Sequence, residues 1–147
     1  MPRRHDSCED EKLEFVVVLT GSQEVPPAQT PALGAGELVL SRRENKLCFR
    51  FYFENLTSPV IPGFVHFHRA PAGQNGPVVK DLAQFVKFAP NRRSGRARGV
   101  WSKHDPTQPL TNDLVQALKA GELYINIHTE AYPGGEVRGQ VVRLNKH

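Results

Sequence analysis

Lys46-Leu47-Cys48-Phe49-Arg50-Phe51-Tyr52-Phe53-Glu54 decides the fold class. Leu47, Phe49, Phe51 and Phe53 alternate with Cys48, Arg50, Tyr52 and Glu54. A period of two is the signature of a half-buried strand, one face apolar and the other turned to solvent. On its N-terminal side, Arg42-Arg43-Glu44-Asn45-Lys46 reads as a hairpin turn, with a short strand over Gly36 to Ser41 before it. Leu13 to Thr20 forms a first strand, and the Pro-rich loop from Gln23-Glu24-Val25-Pro26-Pro27 to Pro31 follows it. On the C-terminal side, the breaker Pro59 to Gly63 precedes a strand at Phe64 to His68. Val78 to Val86 is extended, and Ala97 to Trp101 is a weaker strand. Thr111 to Ala120 is the one helix expected: Thr111 or Asn112 caps it, Leu114, Val115 and Leu118 share a face, and Gly121 ends it. Leu123 to His128 and Glu136 to Leu144 close the chain around the turn Tyr132-Pro133-Gly134-Gly135. The pattern predicts an all-β, antiparallel Greek-key sandwich or barrel of about 7–8 short strands with a helix near 111–120.

Composition agrees. The chain has 147 residues with 12 Gly and 12 Pro, the size of one core and too punctuated for long helices. The expected division is a flexible leader over 1–12, one domain over 13–144 and a tail at 145–147. The longest apolar run, Phe15 to Leu19, is far short of the roughly 20 residues that span a bilayer. Met1 to His5 is basic but lacks the apolar stretch of a signal peptide after it. Cys8 and Cys48 read as two free thiols, with one disulfide as the alternative. Asn55-Leu56-Thr57 is a glycosylation sequon.

Three of the six histidines fall in two strand-like segments. In Gly63-Phe64-Val65-His66-Phe67-His68, residues two apart share a strand face, so both imidazoles project together. His128 ends a second strand whose Leu123, Ile125 and Ile127 face the other way. Laid in register, His68 matches His128 and His66 matches Asn126. Two such corners at one end of a sandwich would bring three imidazoles together, a donor set suited to zinc, copper, iron or nickel. His104 is a weaker fourth ligand, and His5 and His147 lie at the ends. Glu24, Asp81, Glu130 and Glu136 are candidate supporting carboxylates. No phosphate loop, dinucleotide fingerprint, nucleophile elbow or paired-cysteine zinc motif occurs.

The net charge of +4 is too small to indicate a nucleic-acid binder. It is concentrated from Lys87 to Lys103, where Lys87, Arg92, Arg93, Arg96, Arg98 and Lys103 have no acidic neighbour. That run reads either as a solvated loop or as a site, centred on Arg92, Arg93, Arg96 and Arg98, for an anionic polymer such as a glycosaminoglycan; nucleic acid is the weaker partner, since only Phe88 and Trp101 interleave it.

Several separate motifs then resemble the CHRD domain, named for its repeats in chordin. They are Leu19-Thr20-Gly21-Ser22-Gln23-Glu24-Val25-Pro26-Pro27, His66-Phe67-His68 with Gly73-Gln74-Asn75-Gly76-Pro77-Val78-Val79, and Trp101 with Asp105-Pro106 and Pro109-Leu110-Thr111. Leu123-Tyr124-Ile125-Asn126-Ile127-His128-Thr129 and Pro133-Gly134-Gly135-Glu136-Val137-Arg138-Gly139-Gln140 complete a match over about residues 13–144. The departures are the basic insertion around Pro90 to Arg98 and Phe64-Val65, where small residues are usual. The resemblance implies a β-rich domain, often exported and therefore secreted or periplasmic, with no general activity attached. In chordin the domain belongs to an extracellular antagonist of growth factors.

The His-x-His strand with a distant strand-end histidine is also similar to the copper-ligand pattern of copper/zinc superoxide dismutase, itself a Greek-key sandwich. That likeness implies His66, His68 and His128 as copper ligands; Asn126 and Glu24 are the candidates here for holding the ligands or the adjacent loop in place. One-electron chemistry at copper would follow, with Arg138 attracting an anionic substrate; otherwise Arg138 pairs with Glu136 or another carboxylate. The bridging histidine and zinc loop of that enzyme have no counterparts here. The expectations are therefore a copper- or zinc-binding β-sandwich module, a non-catalytic extracellular interaction domain with structural histidines and a basic anion-binding loop, and a copper-dependent superoxide dismutase-like enzyme.

Overall fold

The computed structural model describes residues 11–144. Nine strands run in chain order: β1 (Glu11–Thr20), β2 (Leu33–Ser41), β3 (Lys46–Glu54), β4 (Val60–Arg69), β5 (Val78–Asp81), β6 (Val86–Phe88), β7 (Gly95–Ser102), β8 (Leu123–Thr129) and β9 (Val137–Arg143). One helix, α1 (Asn112–Lys119), lies between β7 and β8. The Thr111 side chain accepts from Leu114 N at its start, and Gly121 takes φ +79° just past its end. The strands form one antiparallel sheet in the order β5-β4-β8-β9-β1-β2-β3-β7-β6, curled into a half-barrel.

Connectivity enforces the curl. β5 and β6 occupy opposite edges, yet only residues 82–85 join them. Laid flat, nine strands at about 4.8 Å spacing would separate those edges by roughly 38 Å. The five steps from Asp81 to Val86 reach at most roughly 18 Å. Bending brings the edges together: Leu82 N donates to Val65 O on β4 at 2.7 Å, and Phe85 packs edge-on against Phe49 of β3 at 5.3 Å. Phe67 of β4 stacks on Trp101 of β7 at 5.1 Å across the concave core, although six strand positions separate them in the sheet. Phe15, Val17 and Leu19 of β1, the alternating Leu47, Phe49, Phe51 and Phe53 of β3, Val65 and Phe67 of β4, and Leu123, Ile125 and Ile127 of β8 form this core.

Several boundaries differ from the sequence reading. Glu11 and Lys12, expected in the leader, belong to β1, and β2 starts at Leu33 and not Gly36. β4 runs through the expected breaker from Val60, because a bulge absorbs it: Val60 pairs with Thr129 and Val65 with Ile127, five steps on one strand against two on the other. Gly63 sits in that bulge at φ +82°, a conformation glycine takes without strain. Val78 to Val86 is not one strand; it breaks into β5, a 3₁₀ turn at Ala83–Phe85 and β6, which raises the strand count to nine. The basic run is not a loop but the hairpin β6–β7. Cys48 is disulfide-bonded, against the reading of free thiols; Cys8, the other cysteine, lies outside the described residues, as do His5 and His147.

Trp101 is fully buried, and its indole N–H donates to Gln108 O at 2.7 Å. Trp101→Ala should lower the unfolding free energy by about 3–5 kcal/mol in urea denaturation. Val100→Ala, one residue away on the exposed face, should stay within about 0.5 kcal/mol.

Candidate metal centre

β8 and the Val65–His68 stretch of β4 are buried on both faces. Val65 and Phe67 point into the core with Ile125 and Ile127, whereas His66 and His68 share the outer face with Tyr124, Asn126 and His128. Direct pairing puts His66 opposite Asn126 and His68 opposite Tyr124. On the other side of β8, Asn126 pairs with Arg138 and Tyr124 with Gln140 of β9. Three loops reach this outer face from above: the 21–32 loop through Glu24, the 70–77 loop through Gly76 and the 130–136 loop through Pro133.

These contacts set the proton positions on the rings. His68 Nδ1 bonds Gly76 O at 2.9 Å, and His128 Nδ1 bonds Pro133 O at 2.8 Å. A carbonyl only accepts, so both Nδ1 atoms hold the proton and both Nε2 atoms present a lone pair. Neither Nε2 has a hydrogen-bond partner, and neither does His66 Nδ1, although all three are buried. The three histidines each offer a ligand atom within 4.8 Å of the others. Their ring centroids lie 5.3–5.9 Å apart. Burial holds all three imidazoles below their ordinary basicity, His68 down to about 4, so at neutral pH the lone pairs are not blocked by protons. Buried ring nitrogens without partners are costly unless something fills the space between them.

The surroundings hold the array rigid. Tyr124 stacks on His68 at 4.9 Å with an 8° tilt, and the Arg138 guanidinium lies over the Tyr124 ring, 3.5 Å from its centroid. Gly76 clamps both rings, its N–H donating to the Tyr124 hydroxyl at 3.1 Å while its carbonyl takes the His68 proton. A Cβ at position 76 would sit 1.8 Å from Arg69 O, so only glycine brings this backbone close enough. Phe64 forms the exposed wall, 5.5 Å from the His66 ring and 5.4 Å from His128. Glu24 and Asn126 join the 21–32 loop to β8 at 3.2 Å.

Other expected roles change. Arg138 makes no salt bridge among the described residues, although its charge acts on Glu24; it is fully buried and bonds Pro71 O, Asn75 Oδ1 and Gln140 Oε1. Glu136 is buried too, but accepts from Thr30 Oγ1, Thr57 N, Thr57 Oγ1 and Thr129 Oγ1, tying two loops to β8. The threonine of the sequon is thus a structural tie. Asp81 lies opposite His66 on β5, while His104 and Glu130 are exposed and outside the cluster. Sequence reasoning gave Tyr124, Gly76 and Phe64 no role in the site, although alternation sets Tyr124 on the face of Asn126 and His128.

Burial pushes the Glu24 carboxyl up from 4.5 to about 7, against the opposing hydrogen bond from Asn126 and the charge of Arg138. The folded state therefore binds this proton more tightly than the unfolded chain. The stability Glu24 contributes is full below about 4.5 and is lost as pH rises through about 7. In urea unfolding of metal-free protein, the stability of Glu24→Gln relative to the parent should rise by about 3 kcal/mol from pH 4.5 to pH 8. A difference that stays flat with pH would contradict the assignment.

A comparison with curated proteins finds no match for this chain. The profile of the CHRD domain matches residues 15–141, a span that takes in the histidine cluster and the three loops over it. The chain belongs to the CHRD domain family.

Proposed function

We propose that the protein binds one transition-metal ion, copper or zinc, through His66 Nδ1, His68 Nε2 and His128 Nε2. The observation behind this reading is the set of three buried, convergent, partnerless ring nitrogens, two of them fixed in the required tautomer by backbone carbonyls. An all-imidazole donor set suits copper and zinc better than oxygen-seeking magnesium or calcium. Three protein ligands leave a fourth position free, which distinguishes a reactive or exchangeable site from a closed structural one. Copper bound there would supply one-electron chemistry, and superoxide dismutation is the activity to assay. Arg138 supports the ligands through Tyr124 in this reading; its full burial argues against a role in drawing anions from solution. A disulfide at Cys48 fits an oxidising compartment, so we place the protein outside the cytosol.

Zinc and copper(II) titrations of the purified protein should give one site per chain. His66→Ala, His68→Ala and His128→Ala should each weaken it by at least about 100-fold, while His104→Ala leaves it unchanged. Unchanged affinity in the His66 and His128 variants would refute a shared site. Dismutation by the copper-loaded protein above the rate of free copper would make it an enzyme; its absence would leave a carrier or structural metal site.

Phe64→Ala should leave zinc stoichiometry at one and speed removal of the ion by a chelator, because the aromatic wall over His66 and His128 is gone. An unchanged removal rate would show that Phe64 does not control access.

A further inference from the structure

At the other end of the sheet, the outer face of β3, β7 and β6 collects cations that are scattered in sequence. The register sets Arg50 on β3 directly opposite Arg98 on β7, and Lys87 on β6 directly opposite Arg96 on β7. Like charges opposite one another destabilise a sheet, yet this face has two such pairs side by side. Glu37 bonds Arg50, and Glu54 lies at the end of β3, but Lys87, Arg96 and Arg98 make no ion pair among the described residues. The half-exposed ring of Tyr52 sits directly opposite Arg96, beside an open groove of about 760 Å³ lined by Ala35 on β2.

The basic run therefore divides. Arg92 turns inward, its guanidinium 4.0 Å from the Phe88 ring and its Nε donating to Val60 O, and Arg93 lies in the turn. Arg96 and Arg98 stay outward and gain Arg50, which no sequence proximity could have supplied.

We propose that this strand face is a docking surface for an extended sulfated glycan. Neighbouring strands stand about 4.8 Å apart, and alternate residues along a strand about 6.6 Å apart, so the three unpaired cations, with Arg50 beside them on Glu37, form a grid that no single small anion can neutralise. A polymer with sulfate or carboxylate groups at short intervals can span it, and guanidinium forks bind such groups in pairs of hydrogen bonds. Single-stranded nucleic acid fits less well, because it needs a series of aromatic platforms and this face offers Tyr52 alone.

Heparin oligosaccharides of defined length provide the probe, measured by calorimetry at low salt against the full chain. The double variant R96E/R98E should lose at least about tenfold in affinity, and R96Q/R98Q a smaller amount in the same direction. The charge-reversed variant should also melt no lower than the parent, since each new glutamate faces a cation, Lys87 or Arg50. That combination of weaker binding and undiminished stability is what a functional cation grid predicts and a structural one does not. Unchanged heparin affinity in R96E/R98E and R96Q/R98Q would overturn the proposal. So would an equal loss in R92S/R93S, or a single-stranded DNA that binds as tightly as the sulfated fragment.

Discussion

Residues 82–85 tie one edge of a nine-stranded sheet to the other, and the rest of the molecule follows from that short tether. Because four residues cannot cross the width of a flat sheet, the strands bend until Phe67 lies on Trp101. The concave face then has one core to fill, which it does with the alternating phenylalanines of β3 and the isoleucines of β8. The convex face is left for polar chemistry, and its two ends take different characters.

At the β4–β8–β9 end, three loops roof the convex face and remove water from it. Desolvation there has two consequences with one cause. It suppresses protonation of His66, His68 and His128, and it leaves three of their nitrogens without solvent partners. The family motifs are the parts of that roof. Glu24 anchors one loop to Asn126, Gly76 orients His68 and Tyr124, Pro133 orients His128, and Glu136 ties the threonines beneath. At the β3–β7–β6 end Lys87, Arg96 and Arg98 are exposed among the described residues, and their charges stay in solvent.

How much of this was legible depends on the range of the interaction. Alternation within β3, the shared face of His66 and His68, and the outward direction of His128 follow from the geometry of a strand, so they could be read residue by residue. The bulge at Gly63 could not, because a Pro-Gly pair marks a break as readily as a bulge inside a longer strand. The division of 78–88 between two sheet edges is a property of the closed sheet and has no local signal. Arg138 and Glu136 were plausible partners two residues apart, but β9 begins at Val137, so Glu136 lies in the turn before it and meets different surroundings. One takes an aromatic ring and the other a set of hydroxyls contributed by residues 30, 57 and 129.

The central claim is that three particular nitrogens are held ready for one ion, and nitrogen-15 NMR of the histidine rings tests it most directly. In metal-free protein at pH 7, His68 and His128 should be the Nδ1–H tautomers, with unprotonated Nε2, and His66 should have an unprotonated Nδ1. One equivalent of zinc should shift His66 Nδ1, His68 Nε2 and His128 Nε2 together while His104 stays unmoved. Shifts confined to His5, His104 or His147, or an unaltered cluster at saturating zinc, would contradict the account.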